Sequence, residues 1–214
     1  MEHHHLSGAN ELSELAQGYE KSILEIGFGN GENTAFLAAK NPNALVIASE
    51  VYLSGIGSLL NSIAQNSLKN IKIYDDDVRE LLLKLPNEIF DEIYIICPDP
   101  WPKARHHKRR LIKHGFLKVL ANVLREEGTV YISTDWENYA ESIEEEVEKS
   151  KEDFLFKKIS NEGMPITRFQ QRAINEGRSI VKSWCCKPFL ILSRFIARSI
   201  SSSLPAIVFK SADF

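Results

Sequence analysis

Short apolar runs, most ending at or beside an acid and separated by one helix length, constrain this chain more than any other feature. Ile23 to Ile26, Ala44 to Ser49, Asn70 to Tyr74, Ile93 to Ile96 and Thr129 to Thr134 read as strands. Parallel strands covered on both faces lose the polar alternation of half-exposed ones. Helical stretches lie between them: one starting near Asn33, one over Ser54 to Gln65 with Ile56, Leu59, Leu60 and Ile63 on a stripe, then Val78 to Leu85 and Leu111 to Leu124. Strand and helix in alternation predict a parallel, doubly wound sheet. Such sheets bind ligands beyond the C-terminal ends of their strands, so the residues closing each run are the first candidates for function.

After the first run come Gly27, Gly29 and Gly31, a turn leading into a helix. Glycines there let a backbone approach a ligand, and the helix start offers free amides. The spacing is G-x-G-x-G with Glu25 two residues ahead, not the dinucleotide G-x-G-x-x-G. Glu50 ends the second run, where an acid can accept from both hydroxyls of a ribose. The third ends in Asp75, Asp76 and Asp77; one of these addresses an adenine edge, or the group caps the next helix.

The fourth run stops at Pro98-Asp99-Pro100, whose prolines withhold backbone donors and end a strand. Trp101, Lys103, Arg105, His106, His107, Lys108, Arg109 and Arg110 follow, a cationic run in a chain of net charge -3. That contrast predicts a local anion-binding surface beside the crevice rather than a bulk one. Trp101 either stacks on a base or packs the loop. The fifth run ends in Asp135 beside Trp136; Glu137 to Ser150 is an acidic amphipathic helix, Phe154 to Ile159 a sixth strand, Thr167 to Arg172 part of a loop, and Arg178 to Trp184 a final strand.

At 214 residues the chain suits one α/β domain. Cys97, Cys185 and Cys186 form neither a disulfide framework nor metal-ligand spacing, which fits a reducing cytosol. The start has no apolar signal-peptide core, and no run of eighteen apolar residues predicts a membrane span. His3, His4 and His5 read as an untidy terminus or tag remnant in a loosely held lead-in, residues 1–20, with at most a short helix from Glu11 to Glu20.

Together, LEIGFGNGE at 24–32, PDPWPKARHHKRRL at 98–111, STDWENYAE at 133–141 and TRFQQRAINEGR at 167–178 resemble the tRNA (guanine-N7-)-methyltransferase family over roughly residues 23–184. The resemblance implies a Rossmann-like class I methyltransferase fold: a mostly parallel seven-stranded sheet with helices on both faces, over residues 21–184. It implies S-adenosyl-L-methionine as cofactor, held by Glu25, Gly27, Gly29, Gly31, Glu50, Asp76 or Asp77, and Asp99, with Asp99 also the catalytic candidate. It implies tRNA as partner: Lys103, Asp135, Thr167, Arg168, Phe169 and Gln170 at the target guanine, and Arg105, His106, Lys108, Arg109 and Arg110 on the tRNA backbone. A cytoplasmic monomer or homodimer without metal or membrane completes the expectation.

Three departures stand out. Gln170 replaces an acid common in the family, Cys97 an aromatic, and Ala173 a frequent glycine. Residues 185–214 have no counterpart there and read as an extension of unknown role, interrupted by Pro188 and Pro205. Other readings are a class I methyltransferase with another substrate, which leaves the basic loop without a purpose, and a tRNA-binding homologue impaired in catalysis.

Overall fold

The computed structural model describes residues 2–158 and 165–186. Its strands are β1 (Lys21–Ile26), β2 (Ala44–Ser49), β3 (Ile71–Tyr74), β4 (Phe90–Ile96), β5 (Leu124–Thr134), β6 (Leu155–Lys158) and β7 (Val181–Cys186). The helices are α1 (Ala9–Ala16), α2 (Glu32–Lys40), α3 (Leu53–Asn66), α4 (Val78–Lys84), α5 (His114–Val123), α6 (Glu137–Glu148) and α7 (Arg168–Asn175). One sheet holds all seven strands in the order β3-β2-β1-β4-β5-β7-β6. Strands β3 to β5 across that order run parallel, and β7 joins β5 and β6 antiparallel.

Burial on both faces explains the unbroken apolar stretches Ile23-Leu24 of β1 and Ala44 to Ala48 of β2. Ile23 and Val46 face one layer with Leu37, Leu59 and Ile63 of α2 and α3. Leu24, Ile47, Ile93 and Val130 face the other, against Leu12, Leu81, Leu117, Leu120 and Ile143 from α1, α4, α5 and α6. Each such fully buried aliphatic side chain contributes about 1.5–3 kcal/mol relative to exposure. The chain returns from the edge strand β3 to pair β4 with β1, and this reversal opens a crevice above Ile26 and Ile95, which lie in register.

The lead-in is not loosely held. His5 bridges to Ile73 at the sheet edge, the Leu6 amide donates to the Ile73 carbonyl at 2.8 Å, and Leu6, Leu12 and Ala16 are core residues. His4 Nδ1 donates to the Ile71 carbonyl at 2.9 Å. The polar sequence hid this because three apolar side chains and edge pairing suffice to anchor it. Two further boundaries differ from expectation. Strand β5 starts at Leu124, with Gly128 inside it, since a register shift between Phe90 and Glu92 accommodates the extra residues. Cys185 and Cys186 belong to β7 rather than to a tail. Ile159 and residues 187–214, part of the expected sixth strand and extension, lie outside the described residues. No helix among those described is long and apolar enough to cross a membrane.

Candidate active site

The turn after β1 is left-handed at Gly27 (φ 71°), Gly29 (φ 58°) and Gly31 (φ 79°), a conformation that disfavours a Cβ. Crowding reinforces the requirement at Gly31, where a Cβ would sit 2.7 Å from Leu59. Helix α3 packs just as tightly: a Cβ on Gly55 would lie 2.2 Å from the Gly29 carbonyl.

Glu25 holds this turn from below. It is 1% exposed, accepts from Asn33 Nδ2 at 3.1 Å, and takes the Thr34 hydroxyl on its other oxygen. Buried and bonded through both oxygens to α2, Glu25 shapes the turn from within the protein. Burial pushes its pKa up to about 7; the Thr34 and Asn33 hydrogen bonds oppose the rise and the Glu50 charge adds to it. Glu50 accepts the amides of Gly29 at 3.0 Å, Val51 at 2.8 Å and Tyr52 at 3.2 Å. A carboxylate has about four acceptor positions, so capacity remains.

The acids after β3 divide their work. Asp75 pairs with His5 at 3.3 Å. Asp77 is the N-cap of α4 and grips the Arg79 guanidinium through both oxygens, so its carboxylate is engaged by the helix start. Asp76 is exposed at the strand head, its Oδ1 accepting the Asp77 amide at 2.7 Å.

Across the crevice, Cys97 (φ 49°) and Trp101 (φ 46°) are left-handed non-glycine residues flanking Pro98-Asp99-Pro100. Such conformations cost on the order of 1–3 kcal/mol and gather at functional sites. The bend leaves Asp99 exposed at the head of β4. A 3-10 turn, Ala104–Arg109, follows. Arg109 lies over the Trp101 ring at 4.9 Å and His106 meets its edge at 5.9 Å, a cation-aromatic stack. Lys103, Arg105, Lys108 and Arg109 are exposed and His106 is half-buried. Arg110 is not available with them. At 5% exposure it donates to the Pro100 carbonyl at 2.9 Å and Asn138 Oδ1 at 2.8 Å, over the Tyr139 ring. It ties the loop to α6.

The TRFQQR segment is a helix, not a loop. Thr167 and Gln170 form a reciprocal capping box that starts α7, a T-x-x-Q signature readable in the sequence. Gln170 is 2% exposed, with Oε1 on the Thr167 amide at 3.0 Å and Nε2 reaching Ser133 Oγ at 3.4 Å. Arg168 binds Glu32 twice, through its amide at 2.7 Å and Nε at 2.8 Å. Phe169, 56% exposed, sits so close to Gly29 that a Cβ there would be 2.9 Å from its ring. Asp135, at the head of β5, pairs with Arg178 at 3.0 Å. Glu32, Ser133 and Arg178 thus join the site without having been singled out; all lie inside the four motifs, but only the fold shows their partners.

A sheet of this order, with a glycine turn after β1, an acid closing β2 and a crevice at the switch point, defines a Rossmann-like methyltransferase. The fold is shared with an rRNA methylase from Streptococcus thermophilus at TM-score 0.56 and 15% identity, covering 84% of this chain and 95% of that one. Residues 19–183 match the family described as "Putative methyltransferase". A tRNA (guanine-N(7)-)-methyltransferase of Nitrosospira multiformis is 39% identical over 80% of this chain and 78% of its own length. One from Nitrosomonas europaea is 43% identical over 74% and 72%. The chain belongs to the tRNA (guanine-N(7)-)-methyltransferase family.

Proposed function

We infer that this enzyme transfers the methyl group of S-adenosylmethionine to N7 of a guanine in the variable loop of tRNA. The observation that carries the reading is the Arg109-Trp101-His106 stack at the head of β4, its arginine exposed, beside the glycine turn, in a chain of this family. The turn fits a nucleoside cofactor on its own geometry: at Gly27, which needs φ 71°, an added Cβ would meet nothing within 4 Å, so open space lies over the backbone. The turn's glycines, the remaining acceptor capacity of Glu50, the Asp76 carboxylate and Asp99 would hold the cofactor. When bound, it supplies an electrophilic methyl group on a sulfonium centre.

The N7 lone pair is unprotonated at neutral pH, so the protein needs no general base. Its work is alignment, which contributes up to roughly 7–11 kcal/mol when reacting atoms are held close. Asp135 accepts from the N1-H and exocyclic amino group of guanine, and Asp99 offers negative charge near the base as it becomes cationic. Adenine presents an acceptor at N1, so it would leave such a carboxylate unpaired. Lys103, Arg105, Lys108, Arg109 and His106 bind phosphates, and Trp101 is held by Arg109 and His106 for contact with RNA.

Replacing the variable-loop guanosine with 7-deazaguanosine tests this reaction. The substituted tRNA is expected to accept no label from methyl-labelled S-adenosylmethionine while competing with unmodified tRNA for binding. Undiminished labelling would place the methyl group elsewhere and refute the N7 assignment.

A further inference from the structure

Arg178 closes α7 and faces the acid at the head of β5. Gly177, left-handed at φ 78°, ends the helix, and the Arg178 amide reaches back to the Ala173 carbonyl at 2.9 Å, which fixes the backbone position. The guanidinium is held from behind, with Nη1 on Glu176 Oε2 at 2.8 Å. The Glu176 carboxylate is itself anchored by Arg172 at 2.9 Å. From this support Arg178 Nε approaches Asp135 Oδ2 to 3.0 Å. The buried Nε–H is not aimed along that line, so the contact is a charge pair.

We propose that Arg178 is a positioning residue, holding the Asp135 carboxylate at the crevice for guanine recognition; this rests on the substrate reading of Asp135 given above. Asp135 lies in the turn between β5 and α6, where its side chain could otherwise rotate. The one described cation it meets is delivered by the helix whose Gln170 reaches Ser133, two residues upstream. The pair is partly buried, with side-chain exposures of 33% for Arg178 and 18% for Asp135, and small misplacement of a recognition group is costly in rate. The effect therefore falls on tRNA turnover and leaves cofactor affinity alone.

The test is steady-state kinetics of the full chain on unmodified tRNA for R178A, R178K, D135A and the double variant R178A/D135A. R178A is expected to lower kcat/KM for tRNA roughly 10- to 100-fold, with the KM for S-adenosylmethionine within about twofold of wild type. R178K restores part of the loss, and adding R178A to D135A changes the rate by less than about twofold. R178Q, which keeps most of the side-chain length, replaces R178A if the latter does not fold. Wild-type kinetics in R178A, or its full loss repeated on top of D135A, would overturn the positioning role while leaving Asp135 in place. Wild-type turnover in D135A itself would overturn both.

Discussion

Glu25 illustrates how one side chain links the turn's shape to pH. Burial raises its folded pKa to about 7, while the unfolded chain titrates near 4.5. Below 4.5 both states keep the proton and the site's contribution is fully present. As pH rises toward about 7 the unfolded state releases a proton that the folded state retains, so stability is lost up to the folded pKa. The separation corresponds to roughly 3 kcal/mol. Urea unfolding of wild type and E25Q at about pH 5 and about pH 8 checks this: the wild-type midpoint should fall relative to E25Q on going to the higher pH. Parallel changes in the two proteins would contradict the assignment. The sequence marks Glu25 as a ligand-site acid, but spacing cannot tell whether a carboxylate points into a crevice or under it. Asn33 and Thr34, which decide the matter, look like ordinary first-turn helix residues.

Among elements, the loop after β4 divides its cations between two tasks. Arg109 rests on Trp101 at the surface, while Arg110 is clamped to Pro100 and Asn138. R110A should therefore cost about 1–3 kcal/mol in urea unfolding, because it removes the hydrogen bonds and the Tyr139 contact of a buried guanidinium. R109A should stay within about 0.5 kcal/mol of wild type while weakening tRNA affinity. Equal stability losses in the two variants would remove the distinction. Nothing in HHKRR reveals which arginine turns inward, since the answer depends on Asn138 and Tyr139 in another helix. Helix α7 was obscured for a related reason: R-F-Q-Q-R carries no apolar stripe, and its buried residues are Gln170 and Ala173. The parallel strands were legible because burial on both faces leaves continuous apolar runs.

For the whole molecule, α7 joins the two sides of the crevice. Its start grips Glu32, 136 residues earlier in the chain, and the residues just beyond its end reach Asp135. Such contacts follow from topology and no local period announces them, which is why the motifs could be placed at strand ends before their partners were known. The same topology sets an exposed cationic loop beside the glycine turn in a chain of net charge -3, so recognition of RNA is local. The most direct measurement is transfer of labelled methyl from S-adenosylmethionine to unmodified bulk tRNA, followed by nuclease digestion and identification of the labelled nucleoside. Label in 7-methylguanosine is the expected result. Label in any other nucleoside, or none with the cofactor bound, would contradict the account.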